Sequence, residues 1–177
     1  MRRTVEPVSL PITLNEAERA LQFGDISDTS LDAEIEELIP VAVDMVERDC
    51  QRALCPQTWQ LKLDQFPVVI ELRRPPITAA SVTYLDEDEA SQTLSSSLYD
   101  TDLTSAPGLI TPDDLSWPVV GTVPAAVTVT FTAGYAGKLP PAAWNALRLA
   151  LKAVYYGCDP GDAYWSMIGR LDWSAHL

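Results

Sequence analysis

The chain carries one histidine, His176, next to its last residue, and three cysteines, Cys50, Cys55 and Cys158. A Ser-His-Asp or Cys-His constellation would have to be built on that last stretch, a poor foundation because chain ends fray. Cys50 and Cys55 lack the CxxC pairs and histidines that a zinc site uses, so they read as small, reduced core residues. The run "DEDE" at 86–89 offers four carboxylates without the spaced oxygen ligands and glycine of a calcium loop, and reads as an exposed hairpin tip. Gly134, Gly137 and Lys138 in "GYAGKLPP" do not match the GxxxxGK[ST] phosphate loop, and turn geometry accounts for the glycines better. Asp113 and Asp114 are carboxylates on which a small hydrolase could be argued, but no organised acid–base set surrounds them. The expectation is therefore no enzyme, no cofactor and no metal.

The charge is the stronger signal. The 177 residues hold 25 acids against 12 bases, for a formal net charge of −13. Such a chain does not grip nucleic acid over a broad surface, because phosphate binding needs clustered Lys and Arg. It can still form a surface that DNA passes without sticking. Eleven acidic and two basic residues fall between positions 15 and 49. One reading is a solvated helix face, with early acids favoured by the helix dipole. The other is a wall that repels polyanions, strongest where several copies sum their fields; Glu34, Glu37 and Asp44 are its candidates.

These residues sit on a legible framework. "ITLNEAERALQF" carries a capping box, with Thr13 as N-cap and Glu16 three residues on, predicting a helix over 14–22. A second helix runs from near Leu31 to about Arg52 on apolar positions at helical spacing, with Pro40 inside it as a kink or a break in its ladder. From Cys55 the texture alternates: "TWQLKLD", "VVIELRRPP", a hairpin in "ASVTYLDEDEASQTL", two short pieces around Pro107-Gly108, and "AAVTVTFTAGY", the clearest strand. A final helix covers about 141–157, with Pro141 suited to its first position. "DPGDAYWSMIGRLDWSAHL" forms a short helix or tail. The expected class is α+β: a small helical bundle with an inserted antiparallel β region of five or six strands. It is expected as one domain over 1–177, with N-terminal helices in 1–54, the β insertion in 55–135 and C-terminal helices and tail in 140–177. No signal peptide opens the chain, and no apolar run of about 20 residues can span a bilayer. A protein made in the cytoplasm, with no membrane partner, is expected.

In order, "TLNEAERALQF", "VERDCQRAL", "TWQLKLDQFP", "IELRRPPITAASVTYLDEDEASQTL", "SSLYDTDLTSAPGLI" and "VTVTFTAGYAG" with "LPPAAWNALRLALKAVYY" resemble the head–tail connector (adaptor) proteins of tailed bacteriophages and gene transfer agents. The similarity covers about residues 10–158. It implies a structural virion protein of the neck, made in a bacterial host. Such a protein forms a homo-oligomeric ring, in this family typically a dodecamer. The ring docks on the portal protein, extends the DNA channel without specific DNA binding, and carries the next stopper or tail-completion protein. A stopper or tail-completion role for this chain itself is the alternative.

Candidate contact residues follow from apolarity in unusual places. In the last long helix Trp144, Leu147, Leu151 and Tyr155 form one stripe, and Ala143, Ala146, Ala150 and Ala153 a second. Only Asn145, Arg148 and Lys152 mark a polar edge. A helix apolar nearly all round is buried on several sides: either the β insertion and second helix cover it, or one stripe meets a neighbouring subunit. Trp165, Met167, Ile168, Leu171 and Trp173 are further subunit or portal candidates, because aromatics and Met are enriched in interface cores. Arg73 and Arg74, before Pro75-Pro76, read as a rigid, extended basic pair, free to meet a neighbour's acidic helix or simply solvent.

Overall fold

The computed structural model describes residues 1–7, 9–21, 29–113 and 116–171. The chain forms two compact units, Met1–Val8 with Pro56–Gly134, and Ser9–Cys55 with Tyr135–Leu177. Among the described residues the first unit is built of strands with one short 3-10 turn at Ser96–Leu98 and the second of α-helices, so the α+β class holds.

The β unit has eight strands among the described residues: β1 (Arg2–Val5), β2 (Gln57–Leu63), β3 (Ile70–Leu72), β4 (Ile77–Leu85), β5 (Ser91–Thr93), β6 (Tyr99–Asp102), β7 (Gly108–Pro112) and β8 (Val127–Ala133). They form two antiparallel sheets, in the orders β1-β2-β8-β4-β5 and β3-β7-β6. The centre of the larger sheet is β8. Its alternation is complete, with Val127, Val129, Phe131 and Ala133 buried and the intervening threonines half-buried. A one-residue slip would turn that whole apolar set to the other face, so the pattern locks the register: Trp59 faces Phe131 and Leu61 faces Val129 on one side, and Val82 faces Val129 on the other. The "DEDE" run forms the tip of the β4–β5 hairpin, as its polarity suggests. The Asp86 carboxylate accepts from the Asp88 and Ala90 backbone N–H groups and from the Gln92 amide, so its own turn consumes it. Gly121 must stay a glycine here, because a Cβ would lie 2.7 Å from the Asp86 carbonyl oxygen. The 1–54 segment departs from expectation at its start: Arg2–Val5 is an edge strand on β2 rather than part of a helical region.

The helical unit holds α1 (Leu14–Leu21), α2 (Asp32–Cys50), α3 (Pro141–Tyr156) and α4 (Gly161–Leu171). The capping box forms as spelled: the Thr13 N–H donates to Glu16 Oε2 at 2.9 Å, and the Glu16 N–H donates to Thr13 Oγ1 at 3.3 Å. The bonds from the Thr13 N–H and hydroxyl hold the Glu16 carboxyl below its usual range. Pro40 is exposed within α2 and does not end it. Instead α2 stops at Gln51 in the left-handed region, and the buried Glu47 carboxylate accepts the Leu54 N–H at 2.6 Å. Pro141 is the first residue of α3, where no N–H is needed. Gly157 closes α3 at φ 62°, its N–H bonded to the Ala153 carbonyl.

One core joins the four helices. From α2 come Ile35, Ile39, Ala42, Val43, Val46 and Cys50; from α3 come Ala143, Ala146, Leu147, Ala150 and Leu151; from α4 come Tyr164, Ile168 and Leu171. Burial pushes the Cys50 thiol up to about 11, consistent with a core residue. Tyr164 is fully buried and donates its hydroxyl to Asp49 Oδ2 at 2.6 Å, tying α4 to the end of α2. Arg48 pairs with the same carboxylate at 3.0 Å, and Arg52 donates to the Leu171 carbonyl. A hydrogen bond to a charged group contributes about 1.5–3 kcal/mol. Tyr164→Phe is therefore expected to lower unfolding stability by about that amount in urea titrations; an unchanged midpoint would show that the bond holds nothing.

Candidate functional site

The acidic face predicted on the second helix is present. Glu34, Glu37 and Asp44 are all exposed on α2, and none makes a hydrogen bond or ion pair among the described residues. They do not stand alone. Glu34, Glu37, Val41, Asp44 and Arg48 follow one another at intervals of three and four, a single row along the helix. Val41, near the middle of that row, is 50% exposed. Away from the row, Glu18 of α1 is buried, and its carboxyl is raised above its usual range by that burial and by the neighbouring Asp32 carboxyl.

A groove opens between α3 and α4, about 250 Å³ in volume and lined by Asn145, Arg148, Leu149, Lys152 and Met167. The polar edge of α3 is one wall of it, and Met167 comes from α4. Arg148 and Lys152 have no ion-pair or hydrogen-bond partner among the described residues. Arg170, exposed one turn beyond Met167 on α4, adds a third cation nearby. A second groove of about 290 Å³ lies among Pro11, Glu16, Lys138, Leu139 and Trp144.

The other candidate contact residues divide sharply. Leu147, Leu151, Ile168 and Leu171 are 0–5% exposed and spent on the unit's own core, so they leave the contact set. Both stripes of α3, leucine and alanine, are covered within the helical unit, where α1, α2 and α4 pack on α3. Trp144, Tyr155 and Met167 are half-buried against that core. Trp165 is 50% exposed, its ring edge-to-face with Tyr164 at 5.0 Å. Trp173, like Asp114 and His176, lies outside the described residues. Asp113 is exposed.

The basic pair is not extended. Arg74 takes φ 82°, a conformation side chains rarely adopt, and its guanidinium lies 5.3 Å from the centre of the Trp59 ring. That placement covers an indole whose Nε1 is buried without a partner. Arg73 is exposed and lies 3.6 Å from Glu71, a pair in water that contributes little. The expectation of a rigid, extended basic pair is corrected accordingly: Arg74 packs on a ring and Arg73 faces solvent.

One surface in the β unit escaped the sequence reading. "FPVV" at 66–69 and "WPVV" at 117–120 are near-copies, and their rings stack at 4.6 Å with 9° between planes. The Trp117 indole donates to the Pro67 carbonyl at 2.6 Å. The stack leaves Val68 at 85% and Val119 at 68% exposure. The repeated tetrapeptide was the available signal.

With this geometry in view, similarity places the fold. A chain in a virion structure of a native gene transfer agent (GTA) particle superimposes with a TM-score of 0.77 at 18% identity, covering 95% of this chain and 94% of that one. Chains in the neck of the empty particle, computed with C6 symmetry, and of the native particle, computed with C12 symmetry, give TM-scores of 0.73 and 0.67 at the same identity and coverage. The fold is that of a gene transfer agent neck chain. No protein-family model and no curated protein sequence matches the chain.

Two predictions separate core from surface. Leu151→Ala is expected to cost about 2–5 kcal/mol of unfolding stability, and Trp165→Ala no more than about 1 kcal/mol; the reverse order would return Leu151 to the contact set. Glu18 binds its proton more tightly folded than unfolded, so its contribution is full below the usual carboxylate range and is lost as pH rises through the raised value. Glu18→Gln should therefore raise Tm at pH 7, with the gain closing by about pH 3. A gain that grew on acidification would contradict the assignment.

Proposed function

We propose that this chain is a structural component of a virion neck, a head–tail adaptor that assembles as a closed ring of copies. It docks beneath the portal, extends the DNA channel and presents a platform to the next connector or tail protein. One observation carries this reading: the neck fold spans 95% of the chain, and two of the neck structures were computed with rotational symmetry. A ring follows when each copy uses two different surfaces on its two neighbours, a heterologous contact that closes. A dodecamer fits the C12 symmetry of one of those necks. The role is passive. Contacts between surfaces do the work, and DNA passes without specific binding, in keeping with a net charge of −13. Synthesis in the bacterial cytoplasm and a final place in the virion belong to the same proposal.

In a ring, the row Glu34, Glu37 and Asp44 has one of two neighbours: DNA in the channel, which it would repel, or the next copy. The channel wall is the reading suggested by charge alone.

The test is assembly. Mass photometry and negative-stain microscopy of the chain, alone and mixed with its portal, should show closed rings in at least the mixture. Monomer under both conditions would end the ring proposal. Binding to the tail-tube protein with none to the portal would favour the stopper or tail-completion role instead.

A further inference from the structure

We propose that in the ring the Glu37–Val41–Asp44 row of one copy seats in the α3–α4 groove of the next copy. There Val41 packs on Leu149 and Met167, while Glu37 and Asp44 face Arg148 and Lys152. The inference rests on the ring reading and names the contact that closes it.

Two independent features point the same way. The first is charge. Arg148 and Lys152 make no hydrogen bond or ion pair among the described residues of a chain with about two acids for every base, and neither do Glu37 and Asp44 on the same unit, Asp44 having only a longer-range attraction to Arg48. Copies carrying −13 each repel one another, so a stable contact must set the scarce cations against carboxylates. The second is apolarity. Val41 is half-exposed between the two acids, and Leu149 and Met167 line the groove together with its two cations. An apolar centre inside a charged rim is the usual anatomy of a contact between proteins. A DNA-repelling wall has no use for that valine, whereas a neighbouring groove does.

The geometry requires a second copy. The buried face of α2 packs on α3 through Ile39, Ala42 and Val46, so the row points away from α3 and cannot reach the groove of its own chain. Along the helices, Glu37 to Asp44 spans about 10 Å and Arg148 to Lys152 about 6 Å, a difference the long, flexible basic side chains can bridge. Both surfaces belong to the helical unit, so one contact repeated around the axis needs nothing from the β unit.

A cysteine pair tests this directly. Val41→Cys with Met167→Cys is placed in a Cys158→Ser background, because Cys158 is exposed while Cys50 and Cys55 are buried. A short bismaleimide on assembled rings should give a ladder of covalent multimers climbing to the ring, and either single cysteine alone should give none. Rings by mass photometry with no ladder would overturn this contact and leave the ring reading standing. No rings with portal present would remove both. In a second arm, Glu37→Lys/Asp44→Lys and Arg148→Glu/Lys152→Glu, each checked for an unchanged circular dichroism spectrum, should raise the concentration for half-assembly by about tenfold or more. An equimolar mixture of the two should recover by alternating around the ring, because each row then meets a groove of opposite sign, and the fourfold swap in one chain should recover as well. If Glu37→Lys/Asp44→Lys assembles normally and only DNA passage changes, the row is a channel wall and the inference is wrong.

Discussion

Close packing of α3 on α2 is the contact from which the rest of the helical unit takes its geometry. Ala143, Ala146 and Ala150 are fully buried, as is Ala42 on α2, and side chains this small let two helix backbones approach closely. Leu147 and Leu151 fill the space beside them. With both apolar stripes of α3 consumed in this way, its narrow remaining face can carry only Asn145, Arg148, Leu149 and Lys152 to the groove. The same packing turns the Glu37–Val41–Asp44 row outward. The two surfaces proposed to meet between copies are thus both residues of one internal contact, the faces it leaves over.

The end of α2 shows how local charge is organised to hold this arrangement. Asp49 receives the Tyr164 hydroxyl and the Arg48 guanidinium, and Glu47 satisfies the Leu54 N–H where the helix has run out of its own partners. Burial, and then the Asp49 carboxylate, raise the Tyr164 hydroxyl above its usual range, so it remains a donor at any physiological pH. Glu47 and Asp49 are therefore structural, as is Glu16 in its capping box, whereas Glu34, Glu37 and Asp44 are exposed.

Much of this was legible in sequence, and the failures have physical reasons. The Thr13–Glu16 capping box, Pro141 at a helix start and the Val127–Ala133 alternation each encode their geometry within a few residues, and each appears as read. The strand at Arg2–Val5 did not, because its four residues have no alternation of their own and gain order only from pairing with β2. Pairing is non-local, and so is the division of the strands into two sheets. The apolar stripes of α3 were visible, but a stripe looks the same whether it meets its own chain or another. Leu147, Leu151, Ile168 and Leu171 proved to meet their own. The polar edge Asn145, Arg148 and Lys152 was also visible; that Met167 on α4 makes it one side of a groove was not, since only folding brings α4 alongside.

Cryo-electron microscopy of this chain assembled on its portal tests the central claim most directly. The account predicts a closed ring in which the α2 row of each copy lies against Arg148 and Lys152 of the next. A ring with Glu37 and Asp44 facing an open lumen would contradict the contact, and density for isolated copies without ring closure would contradict the function.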